Sequence, residues 1–334
     1  MRALSAYPRV RPRRTRQNEA VRSMVREHHL RACDLIQPLF VFEGAGPDVE
    51  IPSMPGQYRL SLPSLVERCV VAHELGVPAV ALFPRIDDAK KTEDGRGAWD
   101  DEGLVPMAVR AIKAAAPGLQ VITDVALDPY SSLGQDGIVV DGEIHNERTI
   151  EALVQQAACH ARAGADFVAP SDMMDGRVGA IRDTLDGFGH EKTLIMAYSA
   201  KYASVFYGPF RDALDSAPRG GADKRTYQMD PANADEALHE VAMDLAEGAD
   251  VVMVKPGLPY LDVLYRVKEA FRRPTAVYQV SGEYAMLKAA GLNGWLDERK
   301  AVLEALTAFK RAGADSILTY YATDVAGWLA AGRE

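Results

Sequence analysis

Cysteine is scarce in this 334-residue chain. Cys33, Cys69 and Cys159 stand far apart, are odd in number and form no C-x-x-C pair. A disulfide framework and a cysteine-built zinc site are therefore not expected, and a reducing, cytoplasmic setting fits. No apolar run reaches the ~18 residues needed to span a bilayer, and the N-terminus lacks the apolar core of a signal peptide. Neither membrane insertion nor export is expected. No G-x-G-x-x-G follows the first apolar segment and no P-loop occurs, so the common nucleotide-binding signatures are missing.

Positive charge is scarce beyond the N-terminus. The net charge is −9, yet residues 1–31 hold nine arginines against two glutamates, a net +7 that leaves −16 for the rest. So acidic a body does not suit nucleic acid. A basic tail on an acidic body instead points to a tail that lies on another subunit. The stretch containing Arg9-Val10-Arg11-Pro12-Arg13-Arg14 has no helical periodicity until about Asn18. It reads as an extended arm followed by a short helix to about Glu27, with a nucleic-acid or anionic-membrane tail as the competing reading.

What is present is a rhythm. With 48% hydrophobic and 25% charged residues the chain has material for a large core. Short apolar segments read as strands at Leu35–Phe42, Pro78–Phe83, Leu119–Leu127, Asp166–Ala169, Thr193–Tyr198, Asp250–Val254, Thr275–Val280 and Ser316–Tyr321. Amphipathic segments read as helices at Leu62–Leu75, Gly103–Ala116, Glu147–Ala163, Gly176–Leu185, Pro231–Glu247, Tyr260–Arg272, Gly282–Ala290 and Asp297–Arg311. Strands that are apolar without alternation suit a parallel sheet covered on both faces. Three junctions repeat, Ala163-Gly164-Ala165-Asp166, Glu247-Gly248-Ala249-Asp250 and Ala312-Gly313-Ala314-Asp315. Eight such units predict an α/β fold, a closed (β/α)8 TIM barrel with an extended N-terminal arm; an open doubly wound sheet is the alternative.

A TIM barrel gathers its chemistry at the C-terminal strand ends. Here those ends carry a polar ring that includes Asp124, Asp128, Ser171, Asp172, Lys201, Lys255, Ser281 and Tyr320-Tyr321. The sharpest feature is Val251-Val-Met-Val-Lys255-Pro-Gly257, a buried strand that ends in lysine. Burial disfavours an ammonium, and a neutral amine forms a Schiff base with a carbonyl. Lys201 ends the preceding strand, and two neighbouring lysines lower each other's pKa. The bland reading is a pair of surface lysines that snorkel to solvent. A single reactive lysine suggests a class I Schiff-base aldolase. Two suggest a site for two carbonyl substrates, or a second lysine that tunes the first. Tyr202–Gln228 is long and aperiodic, with Arg211, Lys224 and Arg225; it reads as a lid over residues 202–228 whose cations bind a carboxylate, or as a solvated insertion.

Several stretches carry a resemblance. Val168-Ala-Pro-Ser171-Asp172-Met-Met-Asp175, Ala197-Tyr-Ser-Ala-Lys201-Tyr-Ala-Ser, Tyr207-Gly-Pro-Phe-Arg211-Asp-Ala, Met253-Val-Lys255-Pro-Gly-Leu-Pro-Tyr-Leu-Asp262 and Ala276-Val-Tyr278-Gln-Val-Ser281-Gly-Glu occur in this order. Together they resemble the porphobilinogen synthase (5-aminolevulinate dehydratase) family from about Leu35 onward. The resemblance implies condensation of two 5-aminolevulinate molecules to a pyrrole in heme biosynthesis, with Schiff bases on Lys201 and Lys255. It implies Arg211 and Lys224 on one substrate carboxylate, Ser281 and Tyr321 on the other, and Asp124, Ser171 and Tyr278 lining the site. It also implies a homo-oligomer, octamer or hexamer, built through the arm (1–31) of a catalytic barrel (32–334). Zinc-dependent members carry three cysteines where this chain has Ala126, Asp128 and Asp136. Two carboxylates suit magnesium or no fixed metal, so no catalytic zinc is expected. Glu240 resembles the family's allosteric Mg2+ position, or is an ordinary exposed helix glutamate.

Overall fold

The computed structural model describes residues 7–44, 46–214 and 223–332. Eight apolar segments become parallel strands: β1 (Leu35–Phe42), β2 (Ala79–Arg85), β3 (Gln120–Val125), β4 (Phe167–Pro170), β5 (Leu194–Lys201), β6 (Val251–Lys255), β7 (Thr275–Gln279) and β8 (Ser316–Thr319). Each pairs with its neighbour in chain order. β8 returns to β1 through Leu35↔Ile317 and Ile36↔Leu318, so the sheet closes and is not an open, doubly wound one. The strands are buried on both faces because one meets the barrel interior and the other a layer of helices; Val252, Met253 and Val254 of β6 have no exposure at all.

The helices are α1 (Glu19–Met24), α2 (Leu62–Glu74), α3 (Leu104–Ala115), α4 (Asn146–Arg162), α5 (Arg177–Gly187), α6 (Gly208–Leu214), α7 (Asp235–Ala246), α8 (Leu261–Phe271), α9 (Ser281–Leu292), α10 (Glu298–Ala312) and α11 (Ala322–Ala330). In α10, Val302, Leu306 and Phe309 recur at helical spacing and are fully buried. Asp297 caps its start by accepting from the Lys300 N–H at 3.1 Å.

The repeated Gly-Ala-Asp junction has a physical job. Gly164, Gly248 and Gly313 adopt φ of +100°, +106° and +106°, the left-handed turn that ends a helix. The aspartate two residues on then accepts from the first strand amides of the preceding β-unit: Val121 N–H to Asp166 at 2.8 Å, Ile195 N–H to Asp250 at 2.8 Å, Thr275 N–H to Asp315 at 2.7 Å. Each junction stops a helix and staples the next strand to its neighbour, which is why the glycine and the aspartate recur at all three.

Four expectations are corrected. The segment read as a helix from Pro231 begins at Asp235, because Asp230 first makes a turn with Ala232 and Asn233. β5 runs on past Tyr198 through Lys201, and β8 stops at Thr319, where the chain turns into α11, a helix not anticipated. The aperiodic 202–228 stretch contains a 3-10 turn at Val205–Tyr207 and then α6; its residues 215–222 lie outside the described ones. Two hairpins were also missed, Val49–Glu50 with Tyr58–Leu60, and Val139–Val140 with Glu143–Ile144. Of the arm, residues 1–6 lie outside the described ones. Residues 7–31 form a 3-10 turn at Pro12–Arg16 and α1, and none of them is buried. No helix among the described residues is long and apolar enough to cross a membrane.

Candidate active site

The two lysines are brought level by an irregularity in one strand. β5 and β6 pair Val252 with Ala197 but Val254 with Ala200, so β5 carries one extra residue there. Without it Lys255 would face Ala200, and Lys201 would be one residue out of step and on the other face. With it Lys255 pairs with Lys201. Both side chains are buried, 6% and 5% exposed.

Their surroundings differ. Lys255 Nζ lies over four aromatic rings: Tyr278 at 4.8 Å, Tyr198 at 4.9 Å, Tyr207 at 5.1 Å and Phe210 at 5.2 Å. Among the described residues no carboxylate stands within ion-pair distance of it. Burial first, and the neighbouring Lys201 second, push its amine down to about 7. At pH 7 an ordinary lysine is neutral in roughly one molecule in three thousand, and this downward shift makes the neutral amine far more common at Lys255. The cation–π attraction favours the charged form, but it is worth only ~1–2 kcal/mol against a larger desolvation cost.

Lys201 has polar partners. Its Nζ donates to the Ser171 carbonyl and pairs with Asp136 at 3.3 Å. Asp136 also holds Lys224 at 2.7 Å, and Asp128 takes the same Lys224 ammonium at 3.2 Å. Burial would raise Asp136, but the ammoniums of Lys201 and Lys224 outweigh it and bring it down to about 2. Burial would lower Lys224, and Asp128 with Asp136 instead raise it. Asp124, on β3, is pushed up to about 7 by burial and by Asp128, against the pull of both lysines. It is thus poised to give and take a proton near neutrality.

Phe83, Asp124, Asp128, Asp136, Ser171, Lys201, Tyr207, Phe210, Arg211, Lys224, Gln228 and Lys255 enclose a cavity of about 30 Å³. That is one water's share of space. Two small substrates do not fit in a space of that size. Described residues on either side of 215–222 cover it: Phe210 packs edge-on to Phe83 at 5.2 Å, the Tyr207 hydroxyl donates to the Lys255 carbonyl at 3.2 Å, and Lys224 reaches down to the aspartates. Arg59 holds the far end of α6 through the Ala213 carbonyl at 2.7 Å.

Of the residues named from sequence, Lys201, Lys255, Asp124, Ser171, Arg211 and Lys224 meet around this cavity, and Tyr278 packs on Lys255. Ser281 and Tyr321 do not line it. The Ser281 hydroxyl accepts from the Phe210 N–H at 2.9 Å and donates to the Phe206 carbonyl at 3.3 Å; the Tyr321 hydroxyl points at the Tyr284 carbonyl, 3.5 Å away. Glu240 lies apart, half-buried on α7, where it faces a separate cavity of about 1000 Å³ with Asp175, Asp230, Asn233 and Glu236. Burial pushes its carboxyl up to about 7, against the pull of Arg177. Sequence reading missed the aromatic cage of Tyr198, Tyr207 and Phe210. Aromatic residues scattered over three segments look like ordinary core until the fold gathers them.

A family model described as delta-aminolevulinic acid dehydratase matches residues 9–328. A protein of that description from Bradyrhizobium diazoefficiens is 56% identical over 317 residues, covering 95% of this chain and 90% of the relative. One from Synechococcus elongatus is 53% identical over 328 residues, covering 97% and 100%. A crystal structure of the Toxoplasma gondii delta-aminolevulinic acid dehydratase, in complex with the reaction product porphobilinogen, superposes with a TM-score of 0.94 at 53% identity, covering 96% of this chain and 91% of that one. The chain belongs to the delta-aminolevulinic acid dehydratase family.

Proposed function

We propose that this enzyme condenses two molecules of 5-aminolevulinate to porphobilinogen with loss of two waters. The observation that carries the reading is the Lys201–Lys255 pair on one register, one amine in an aromatic cage and the other beside carboxylates. The neutral Lys255 amine adds to the ketone of one substrate; the carbinolamine loses water and leaves a Schiff base. Lys201 does the same to the second ketone. Carbon–carbon and carbon–nitrogen bonds between the substrates then close the ring and release both amines, so the net loss is two waters. Asp124 moves protons at the carbons and nitrogens between them. Arg211 and Lys224 hold one substrate carboxylate, and Lys224 must leave Asp128 and Asp136 to do so. Ser281 and Tyr321 hold the other once the covering segment releases Ser281. The test is direct. Purified protein given 5-aminolevulinate should produce a pyrrole detectable by its colour reaction, and folded protein that makes none would refute the reading.

The side chains at positions 126, 128 and 136 do not fit a zinc ion, since Ala126 offers no ligand atom, no thiolate is present and the carboxylates of Asp128 and Asp136 already hold an ammonium. Magnesium suits Glu240 better. Among the described residues no three His, Cys, Asp or Glu side chains converge as a cage, but magnesium keeps most of its waters and binds through one or two carboxylates. An ion on Glu240 would lower that carboxyl and act at a distance from the chemistry. Residues 1–31 serve as an arm for a neighbouring subunit in an octamer or hexamer; the exposed arginines among its described residues complement the acidic barrel. Deleting residues 1–31 should give smaller particles by light scattering with lower turnover, and unchanged particles at full turnover would refute the arm's role.

A further inference from the structure

The helix N-terminus at Ser281-Gly282-Glu283 touches the lysine site without lining its cavity. Glu283 is fully buried. Its carboxylate accepts three backbone N–H groups: Leu258 at 2.6 Å, Val280 at 2.8 Å and Gly257 at 3.1 Å. Among the described residues no cation pairs with it. A carboxylate buried without a counter-ion is costly; burial pushes this one up to about 7, and the three donors oppose that shift. Two of them belong to the loop that directly follows Lys255.

That loop has little room to move. A Cβ on Gly257 would lie 2.6 Å from the Phe309 ring and 3.2 Å from the Tyr278 carbonyl oxygen. Ahead of it the Lys255 carbonyl accepts from the Tyr202 N–H at 3.0 Å and from the Tyr207 hydroxyl at 3.2 Å. Lys255 is therefore held from the β5 side through its own carbonyl and from the α9 side through Gly257 and Leu258. The same turn of α9 holds the cover. Gly282 sits so close to Phe206 that a Cβ would lie 2.6 Å from its carbonyl oxygen, and Ser281 bonds Phe206 and Phe210. Phe210 is one of the four rings around Lys255.

We propose that Glu283 is a positioning residue for Lys255: its carboxylate clamps the loop after the lysine, while the adjoining Ser281 clamps a wall of the aromatic cage. The inference rests on Lys255 being the Schiff-base amine. Glutamine at this position keeps the size but turns an N–H₂ group toward a backbone N–H, so at least one of the three bonds becomes a donor–donor clash. The loop should then loosen, the amine should leave the cage part of the time, and water should reach it.

The test uses the full-length Glu283→Gln protein and trace acetic anhydride across a pH series, with acetylation read at each lysine by peptide mass. The apparent pKa of Lys255 should rise by about one unit or more, Lys201 reactivity should stay within about twofold, and kcat should fall by ~10²-fold with KM little changed. An unchanged Lys255 profile, or an equal change at both lysines, overturns the proposal. If Glu283→Gln does not fold, Glu283→Asp keeps the charge but withdraws it by one methylene, and the same readout should shift the same way by less. Acetylation needs no 5-aminolevulinate. Wild-type protein with a low Lys255 pKa that makes no pyrrole would therefore refute the functional reading and leave the clamp standing.

Discussion

Lys201 and Lys255 occupy the same register of adjacent strands, carry the same functional group and are equally buried, yet they sit in opposite surroundings. Around Lys255 are four rings. Around Lys201 are a carbonyl and the carboxylate of Asp136, which a third lysine shares. The difference teaches that burial alone does not set an amine's chemistry. Aromatic walls remove water and offer no charge, so the amine at Lys255 falls to about 7. A buried carboxylate also removes water but returns an opposite charge, which makes an ion pair of Lys201. One strand bulge thus delivers two lysines of unlike character to a single cavity, an arrangement suited to joining two identical substrates by unlike bonds.

The comparison breaks most sharply at Lys255. Lys255→Met should lower turnover by at least three orders of magnitude, about 4 kcal/mol of barrier, measured by steady-state pyrrole formation. Next comes the other side. Asp136→Asn removes the carboxylate that Lys201 and Lys224 share and leaves two buried ammoniums facing a neutral amide; kcat should fall by ~10²-fold. The same variant sharpens the comparison through pH. The Asp136 carboxyl is depressed to about 2, below its unfolded value. Its stabilisation is therefore present above about pH 4 and is lost as pH falls toward 2, a slope in acid unfolding that the variant should lack.

A smaller effect has the opposite sign. Lys255 is lowered in the folded state, so the unfolded chain binds more protons between pH 7 and 10.5 and wild-type stability rises across that window. Lys255→Met, freed from burying an amine, should melt a few degrees higher than wild type at pH 7, and the gap should close toward pH 10 in calorimetry. The smallest expected effect is that of a zinc-selective chelator. With no thiolate to hold zinc, activity should stay within about twofold; loss of activity together with stoichiometric zinc would contradict this.

Much of this was legible in the sequence, and for physical reasons. Eight apolar runs between amphipathic segments encode a covered parallel sheet, and the Gly-Ala-Asp repeat marks a junction whose glycine and aspartate each do a job that few other residues can. The C-terminal strand ends of such a fold gather at one mouth, so lysines there stand near the site. What was not legible depends on distance. Tyr198, Tyr207, Phe210 and Tyr278 become a cage only when three segments meet, and the bulge that aligns Lys201 with Lys255 leaves no mark in the periodicity of Thr193–Lys201. Nor does any local pattern announce that Asp128 and Asp136 receive Lys224, about ninety residues away in the chain. The Asp141-Gly142 hairpin is different. Its φ values of +51° and +87° are those of a two-residue turn that an Asp-Gly pair favours, and the short strands beside it, one of them starting at Glu143, hid the signal.

The central claim is that these two lysines differ in readiness although they share a register. Limiting 5-aminolevulinate, quenched with borohydride at successive times and mapped by peptide mass, measures this directly. The account predicts that the Lys255 peptide is labelled first, and that Lys201→Met protein is still labelled there. Label that reaches Lys201 first, or never reaches Lys255, would contradict it.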